Sequence, residues 1–446
     1  MLISDFKILE NLLRPREVSG ERYFKPLKGF SIDSRSIEKQ EGFIALEGKF
    51  KDGHNFISQA INRGASLIIS QKKIDIKDKV PFILVNDTYK ALEVLANYVR
   101  KVKAPFVYAI TGSVGKTTTK EILSYLLEEK FRILKNHKTE NNILGVAKTI
   151  FSLRDEEVLV LELGTNKFGE IKLLSDISFP NVGIITFIKP VHLEGLKNLK
   201  GVFEEKTSLL KANSSIQAVL NRDDIYLRKV NFCKKIFWFG KDKKSNLYAR
   251  FLEKKQNRCI FLVQDRYRLI LNTSFENFIY NALAAIAGAM LRGLSLEKLV
   301  DKLSSFNNFP SCRMEFKKIG NFFFINDAYN SNPFSFKEAV KAVKIYPFKK
   351  IAVVGDMLEL GDRSIFYHRL LAKDILEGNF EYTLLFGNYV LYLKEELNKL
   401  GYKKVFHFSS HKEIADFIKN KTKERYLIFL KGSRKMELER VVEFLS

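Results

Sequence analysis

The sequence predicts an α/β protein built from three units. A parallel sheet carrying a phosphate loop lies in the middle, and a Rossmann-like, doubly wound unit lies at the end. Three observations carry this. The stretch Phe106 to Lys120, FVYAITGSVGKTTTK, reads as strand, glycine turn and helix. The runs Val158 to Leu163 and Val182 to Thr186 are continuously apolar, as in strands buried on both faces. The last third alternates helical segments with runs at Ile351 to Val354, Thr383 to Phe386, Val405 to Phe408 and Leu427 to Leu430.

In chain order, residues 1–103 form the first unit. Short strands at Phe43 to Leu46, Leu67 to Ile69 and Phe82 to Val85 alternate there with helical segments. KVKAP, Lys101 to Pro105, reads as a linker. Residues 104–309 form the central unit, which an amphipathic helix around Asn281 to Arg292 closes near Asn307 to Pro310. Residues 310–446 form the third unit. No internal repeat or low-complexity tract interrupts this order.

Composition narrows the class. The 446 residues are 46% hydrophobic, enough for ordinary folded cores. No apolar run approaches the ~20 residues that span a bilayer. The N-terminal MLISDFKILENLLRPRE carries acids and lacks a signal-peptide core, so a soluble cytoplasmic protein without membrane insertion is expected. Cys233, Cys259 and Cys312 are widely spaced and fit neither a disulfide framework nor a zinc site. The net charge of +24 raises nucleic acid binding. The basic residues, however, are spread along the chain in clusters such as Lys72-Lys73 and Lys241 to Lys244, with no stripe interleaved with aromatics. No nucleic acid partner is expected, and anionic small substrates gain from the same field.

Gly112 and Gly115 let backbone N–H groups turn toward a phosphate, where the helix N-terminus adds a favourable dipole. Lys116 can reach the β- and γ-phosphates, and the Thr117 hydroxyl suits Mg²⁺. Ser113 and Thr118 complete the nucleotide-binding loop. The pattern is one glycine short of the usual signature, with Ile110 where the first would stand. Glu162, ending VLVLE, is either a Mg²⁺ carboxylate or a solvated strand-end acid. His192, in ITFIKPVHLEG, is either a structural histidine or a second metal contact. Lys206, in a helical GVFEEKTSLL, reads by itself as a surface lysine. INDAYNSNP, Ile325 to Pro333, is a binding surface or a polar turn. VVGDMLELG, Val353 to Gly361, ends a strand where α/β folds place ligands. Lys431, Ser433 and Arg434 end the last strand and suit an anion or a terminal carboxylate.

Together these strings resemble the Mur ligase family over nearly the whole length. The first unit has SIDSR (Ser31 to Arg35), FIALEG (Phe43 to Gly48) and DGH (Asp52 to His54). The middle has TGSVGKTTTK, ENNILG (Glu140 to Gly145), LELGTNKFGEI, the HLE at His192 and VLNRDD (Val219 to Asp224). The third has CRMEF around Arg313, NDAYNSNP, VVGDMLELGDRS and LKGSRKM. Two positions depart from the family's habit: Cys312 where Gly is frequent, and Glu276-Asn277 where His-Asn is frequent.

The resemblance implies a three-domain Mur ligase architecture: a UDP-sugar-binding first domain, a central ATP-binding domain and a C-terminal ligase domain. It implies an ATP- and Mg²⁺-dependent amide ligase of peptidoglycan precursor synthesis, and hence of cell-wall biogenesis, cell shape and division. NDAYNSNP with GDMLELG points to the member that adds D-alanyl-D-alanine to UDP-N-acetylmuramoyl-tripeptide. Another Mur-type or a folylpolyglutamate-type ligase is the alternative. By the same resemblance Lys116 and Arg313 act as cations on phosphate, and Thr117 and Glu162 hold one Mg²⁺. His192 and an N-carbamylated Lys206 hold a second. Asn281 contacts adenine and Asp327 ribose. Ser34 and Arg35 hold the UDP end, and Asn142, Tyr329 and Asn330 meet substrate. The partners implied are small molecules, and a monomer is expected.

Overall fold

The computed structural model describes residues 2–48, 50–74, 80–138, 140–255, 258–421 and 425–445. Three sheets follow one another along the chain. The first has five strands in the order Glu17–Ser19, Phe82–Leu84, Leu67–Ser70, Glu41–Ile44, Gly29–Ser31. All its pairs are parallel except the first. The third has six strands in the order Glu315–Ile319, Phe322–Asp327, Tyr426–Lys431, Lys349–Gly355, Tyr382–Phe386, Val405–Phe408, again with one antiparallel pair at the edge.

The central sheet has nine strands, and its layout positions the site. Phe106–Thr111 lies between Val158–Glu162 and Val182–Ile185, and all three are parallel. The chain leaves this strand toward one side and returns on the other, so a crevice opens at the carboxyl ends, the usual ligand position in such sheets. The register brings the ends level: Ile110 pairs with Glu162, and Thr111 with Ile185. The phosphate loop, Glu162 and the segment leading to His192 therefore leave the sheet together.

Two helices fix the crevice walls. Lys116–Leu127 buries Ile122, Leu123, Leu126 and Leu127. Phe278–Met290 packs against it closely; a Cβ on Gly288 would lie 3.2 Å from Ile184 and 3.3 Å from Leu123. The Tyr108 hydroxyl, inside the core, donates to the Gly288 carbonyl at 3.0 Å. This contact keeps Asn281 over the phosphate loop.

The structure differs from the sequence reading in two places. Lys101 to Lys103 are not linker: they complete the helix Thr88–Lys103, and only Ala104 and Pro105 connect it to the central sheet. Ala104 ends the helix in the left-handed region at φ 47°. The helix is shared between the first and central units, because its face of Ala91, Leu92, Leu95, Ala96 and Val99 joins a core running through both. Its Asn97 amide donates to Asp176 O at 2.7 Å and to Ile177 O at 3.3 Å, meeting carbonyls at the end of the helix Glu170–Ser178. The second difference is an antiparallel ribbon, Leu247–Lys255, Arg258–Val263 and Tyr267–Leu271, added to the edge of the central sheet. Its tight turn uses Gln264 and Asp265, both at φ 52°, in place of the Asn-Gly pair that flags such a turn. No described helix is long and apolar enough to cross a membrane.

Replacing Asn97 with Ala should lower stability by about 1 kcal/mol, the scale of one net hydrogen bond. Urea unfolding would measure this, and nucleotide affinity should stay at the wild-type value.

Candidate active site

The phosphate loop is shaped by close approaches that only glycine allows. Gly112 has φ 147°, and a Cβ there would lie 2.0 Å from Thr186 Oγ1. Gly115 has φ 86°, with the Asn281 amide 2.9 Å from its would-be Cβ. Both positions therefore exclude any side chain. Ser113 is tied down from both sides: its N–H donates to Phe187 O, and its hydroxyl donates to Lys189 O at 2.9 Å. Lys116 opens the following helix, half-buried rather than on an exposed loop, and folds back to donate to Gly112 O at 2.9 Å. Loss of water around its ammonium pushes its pKa down.

Behind the loop stands Glu162, only 1% exposed. Thr117 Oγ1 donates to its Oε2 at 2.7 Å, and Asn141 Nδ2 to its Oε1 at 2.9 Å. Its backbone is clamped by Asn136, which accepts from Glu162 N and donates to Glu162 O, each at 2.9 Å. Fully buried Lys120 donates to Asn136 O at 2.7 Å and Lys138 O at 2.9 Å, and burial lowers its pKa. Glu162 is thus not a solvated strand-end acid. Asn142 is the N-cap of Ile143–Phe151, accepting from Gly145 N at 3.0 Å, and it is the neighbouring Asn141 that touches the carboxylate.

The third unit reaches into the same place. Arg313 donates to Thr117 Oγ1 at 2.9 Å and lies over the Tyr329 ring at 4.0 Å. Its neighbours Cys312 and Met314 have φ 55° and 54°, left-handed values that cost a non-glycine residue roughly 1–2 kcal/mol each. Hydrogen bonds hold them there: Cys312 N to Glu315, Met314 N to Asp327, and Tyr329 N to Cys312 O. Asp327 also accepts from buried Lys431 at 2.5 Å, and Lys431 donates to Asn330 O at 3.0 Å. Burial pushes the Asp327 carboxyl up against the pull of that lysine. Ser433 and Arg434 are otherwise engaged, Ser433 accepting from Leu358 N and Arg434 pairing with Glu439.

His192 enters at φ 50°, with Nδ1 2.5 Å from Glu359 Oε2 of the third unit. The approach is within ion-pair range but off the N–H axis. Burial lowers its pKa. Lys206 is not a surface lysine. It is 1% exposed in the last turn of Leu199–Thr207, and no described residue hydrogen-bonds or pairs with its Nζ. Burial, then the Lys116 charge, drives its pKa well below the usual 10.5.

A cleft of about 840 Å³ gathers most of these groups. Ser113, Gly115, Lys116, Thr117, Thr118, Asn142, Glu162, His192, Asn281, Arg313, Asp327, Tyr329 and Asn330 all line it. Asn281 donates to Gly115 O at 3.3 Å, so its amide braces the loop. Gly112 and Lys206 lie behind this wall. Ser34 and Arg35 lie apart in the first unit. Ser34 donates to Gln59 at 2.7 Å, and Arg35 forks onto Asp33 at 2.9 and 2.8 Å, drawing that carboxyl down to about 2.

Comparison with known proteins agrees with this architecture. The Mur ligase family catalytic-domain pattern matches residues 26–131, the Mur ligase middle domain 110–289, and the Mur ligase glutamate ligase domain 312–434. The UDP-N-acetylmuramoyl-tripeptide--D-alanyl-D-alanine ligase of Buchnera aphidicola is 32% identical over 441 residues, covering 93% of this chain and 92% of that one. The chain belongs to the Mur ligase family. Its fold is that of solved relatives. A crystal structure of MurF from Acinetobacter baumannii superposes with a TM-score of 0.90 at 28% identity, covering 99% of this chain and 98% of that one. MurF ligase from Thermotoga maritima, in complex with ADP, gives 0.84 at 27% identity, covering 94% and 96%.

Several residues of this Mur ligase site escaped the sequence. Asn136 lies outside the motif strings, while Asn141 and Lys120 lie within ENNILG and TGSVGKTTTK without being singled out; only the return of Val158–Glu162 beside the phosphate strand brings the three together. His368 is another. It is fully buried, donates from Nδ1 to Ser364 O at 2.6 Å and accepts Met357 N on Nε2 at 2.9 Å. Burial holds its pKa below the usual 6.5. The unfolded chain therefore binds this proton more tightly. The stability contribution of neutral His368 is complete above pH 6.5 and is lost as pH falls through the lower folded value. Wild-type stability should drop over that acidic range more steeply than that of a His368→Gln variant, as read by chemical denaturation at successive pH values.

Proposed function

We propose that this enzyme joins D-alanyl-D-alanine to UDP-N-acetylmuramoyl-tripeptide at the expense of ATP, supplying the pentapeptide precursor of peptidoglycan. The observation that carries the site reading is the Thr117 hydroxyl, held by Glu162 of the central unit and reached by Arg313 of the third. A phosphate loop with cations from two units suits phosphoryl transfer, which asks mainly for positioning and charge stabilisation.

In this reading a tripeptide carboxylate oxygen attacks the γ-phosphorus of ATP, and ADP leaves. The amine of D-alanyl-D-alanine then attacks the acyl carbon, phosphate departs, and the amine proton is released. Lys116 and Arg313 steady the charge on the moving phosphoryl group. Ser113, Gly115 and Thr118 line the phosphates, with Gly112 shaping the turn. Asn281 serves the adenine side through the loop it braces. Asp327, fixed by Lys431, is taken for the ribose. Asn142, Tyr329 and Asn330 are assigned to substrate on the cleft wall.

Among the described residues no three His, Cys, Asp or Glu side chains form a ready-made metal cage. Thr117 and Glu162 nonetheless fit Mg²⁺, which commonly takes one or two protein oxygens and completes its shell with phosphate and water. His192 would serve a second cation with Lys206. A buried amine with no described partner and a depressed pKa is suited to carbamylation, since only the neutral form attacks CO₂. Bound Mg²⁺ would supply charge neutralisation on the phosphates.

Residues 1–103, 104–309 and 310–446 are taken as the UDP-sugar, ATP and ligase domains. We take the enzyme to work as a monomer in the cytoplasm, where ATP is available, because one chain holds every group named. The decisive assay is phosphate release from ATP that requires both UDP-N-acetylmuramoyl-tripeptide and D-alanyl-D-alanine.

Lys116→Ala should lower turnover by on the order of 10²-fold or more while the circular dichroism stays native. Near-normal turnover would remove the phosphate-loop assignment. Arg35→Ala should weaken UDP-substrate binding by on the order of tenfold, the scale of a charge-assisted hydrogen bond, and spare ATP binding. Calorimetry with each ligand reads both, and an unchanged UDP-substrate affinity would remove Arg35 from that subsite.

A further inference from the structure

The loop Asp356 to Gly361, which follows the strand Lys349–Gly355, stands at a ligand-binding position of its sheet yet is closed to ligands. Asp356 turns inward and accepts Asn388 N and Val390 N, each at 2.9 Å. Met357 N is taken by His368 and Leu358 N by Ser433, both within 2.9 Å. The Met357 and Leu358 N–H groups are therefore not free to cradle an anion. What the loop presents is its tip. Glu359 has φ 66°, a strained value for a residue with a side chain. Its carbonyl accepts Glu194 N at 3.3 Å, and its carboxylate lies 2.5 Å from His192 Nδ1. Gly361, at φ 56°, lies so close that a Cβ there would be 3.3 Å from the Glu194 Cα. The tip of the third unit thus rests on the short helix Leu193–Leu196 and its His192 cap.

A half-exposed contact between an imidazole and a carboxylate contributes little to stability, and Glu359 is 49% exposed. Strain spent on so small a gain points to a role in the site. An imidazole that binds a cation through one nitrogen is oriented by whatever its other nitrogen meets. Glu359 takes the Nδ1 side, and no described residue hydrogen-bonds Nε2.

We propose that Glu359 is a positioning residue for His192: it holds the Nδ1 side of the ring and leaves Nε2 for the cation, so that seating of the third unit on the central one completes the second cation site. This rests on the reading of His192 as a cation ligand. The loop then couples domain contact to cation binding.

The test uses the full-length enzyme with a non-hydrolysable ATP analogue and Mn²⁺ as the probe, titrated by electron paramagnetic resonance. Glu359→Ala should weaken the second Mn²⁺ by roughly tenfold, and the first not at all. In the Mg²⁺ enzyme it should lower kcat with little change in the KM for ATP. Glu359→Gln, which keeps an acceptor oxygen at the same reach, should recover most of the Mn²⁺ affinity. His192→Ala should lose that Mn²⁺, and adding Glu359→Ala to it should change nothing further. If His192→Ala loses the second Mn²⁺ but Glu359→Ala binds it as wild type does, the proposal falls and the His192 reading stands. If His192→Ala itself retains both Mn²⁺ ions, the His192 reading falls and takes the proposal with it.

Discussion

The arrangement depends on one buried carboxylate. Glu162 ends a strand sealed on both faces, where an unpaired charge would cost several kcal/mol. It is kept there by what surrounds it: the Thr117 hydroxyl, the Asn141 amide, and the Asn136 clamp on its backbone. Lys120 steadies that clamp from below through Asn136 O. The result locks the first turn of the phosphate-loop helix to the neighbouring strand. A loop that must receive a highly charged ligand is thereby fixed before the ligand arrives, which is the condition for electrostatic stabilisation at low reorganisation cost.

The third unit spends backbone strain to join this site. Two left-handed residues flank Arg313, and a third carries Glu359. Cys312 holds a conformation that glycine adopts freely, which accounts for the family's frequent glycine at that position. The hydrogen bonds that Cys312 N and Met314 N donate to Glu315 and Asp327 make the strained turn tolerable and aim the guanidinium at Thr117. Strain in such places follows from geometry: a cation from one folded unit must arrive within hydrogen-bond distance of a loop in another.

Lysine burial runs through the molecule as a second theme. Lys120 and Lys431 are buried but fully engaged, one by carbonyls and one by Asp327. Lys206 is buried without a described partner. The contrast separates lysines that hold the fold from a lysine whose environment favours a neutral, reactive amine.

The sequence alone determined the class, the order of three α/β units and the phosphate loop. Continuous apolar runs, glycine turns and helical periodicity are local signals, readable within a dozen residues. It also singled out Lys116, Thr117, Glu162 and His192, because their strings are short and stand at strand ends, and Arg313 through the family resemblance. Tertiary structure decided the rest. The hairpin at Gln264 and Asp265 carried no turn signal, and the supposed linker proved to be the end of a helix whose apolar face serves two units. The fold also brought Asn141 to Glu162 and Glu359 to the neighbouring unit. By its local string Lys206 read as a surface lysine, only the family resemblance marked it out, and the fold buries it. These outcomes turn on which distant segments share an environment, since desolvation and partner geometry belong to the assembled fold and not to any stretch of chain.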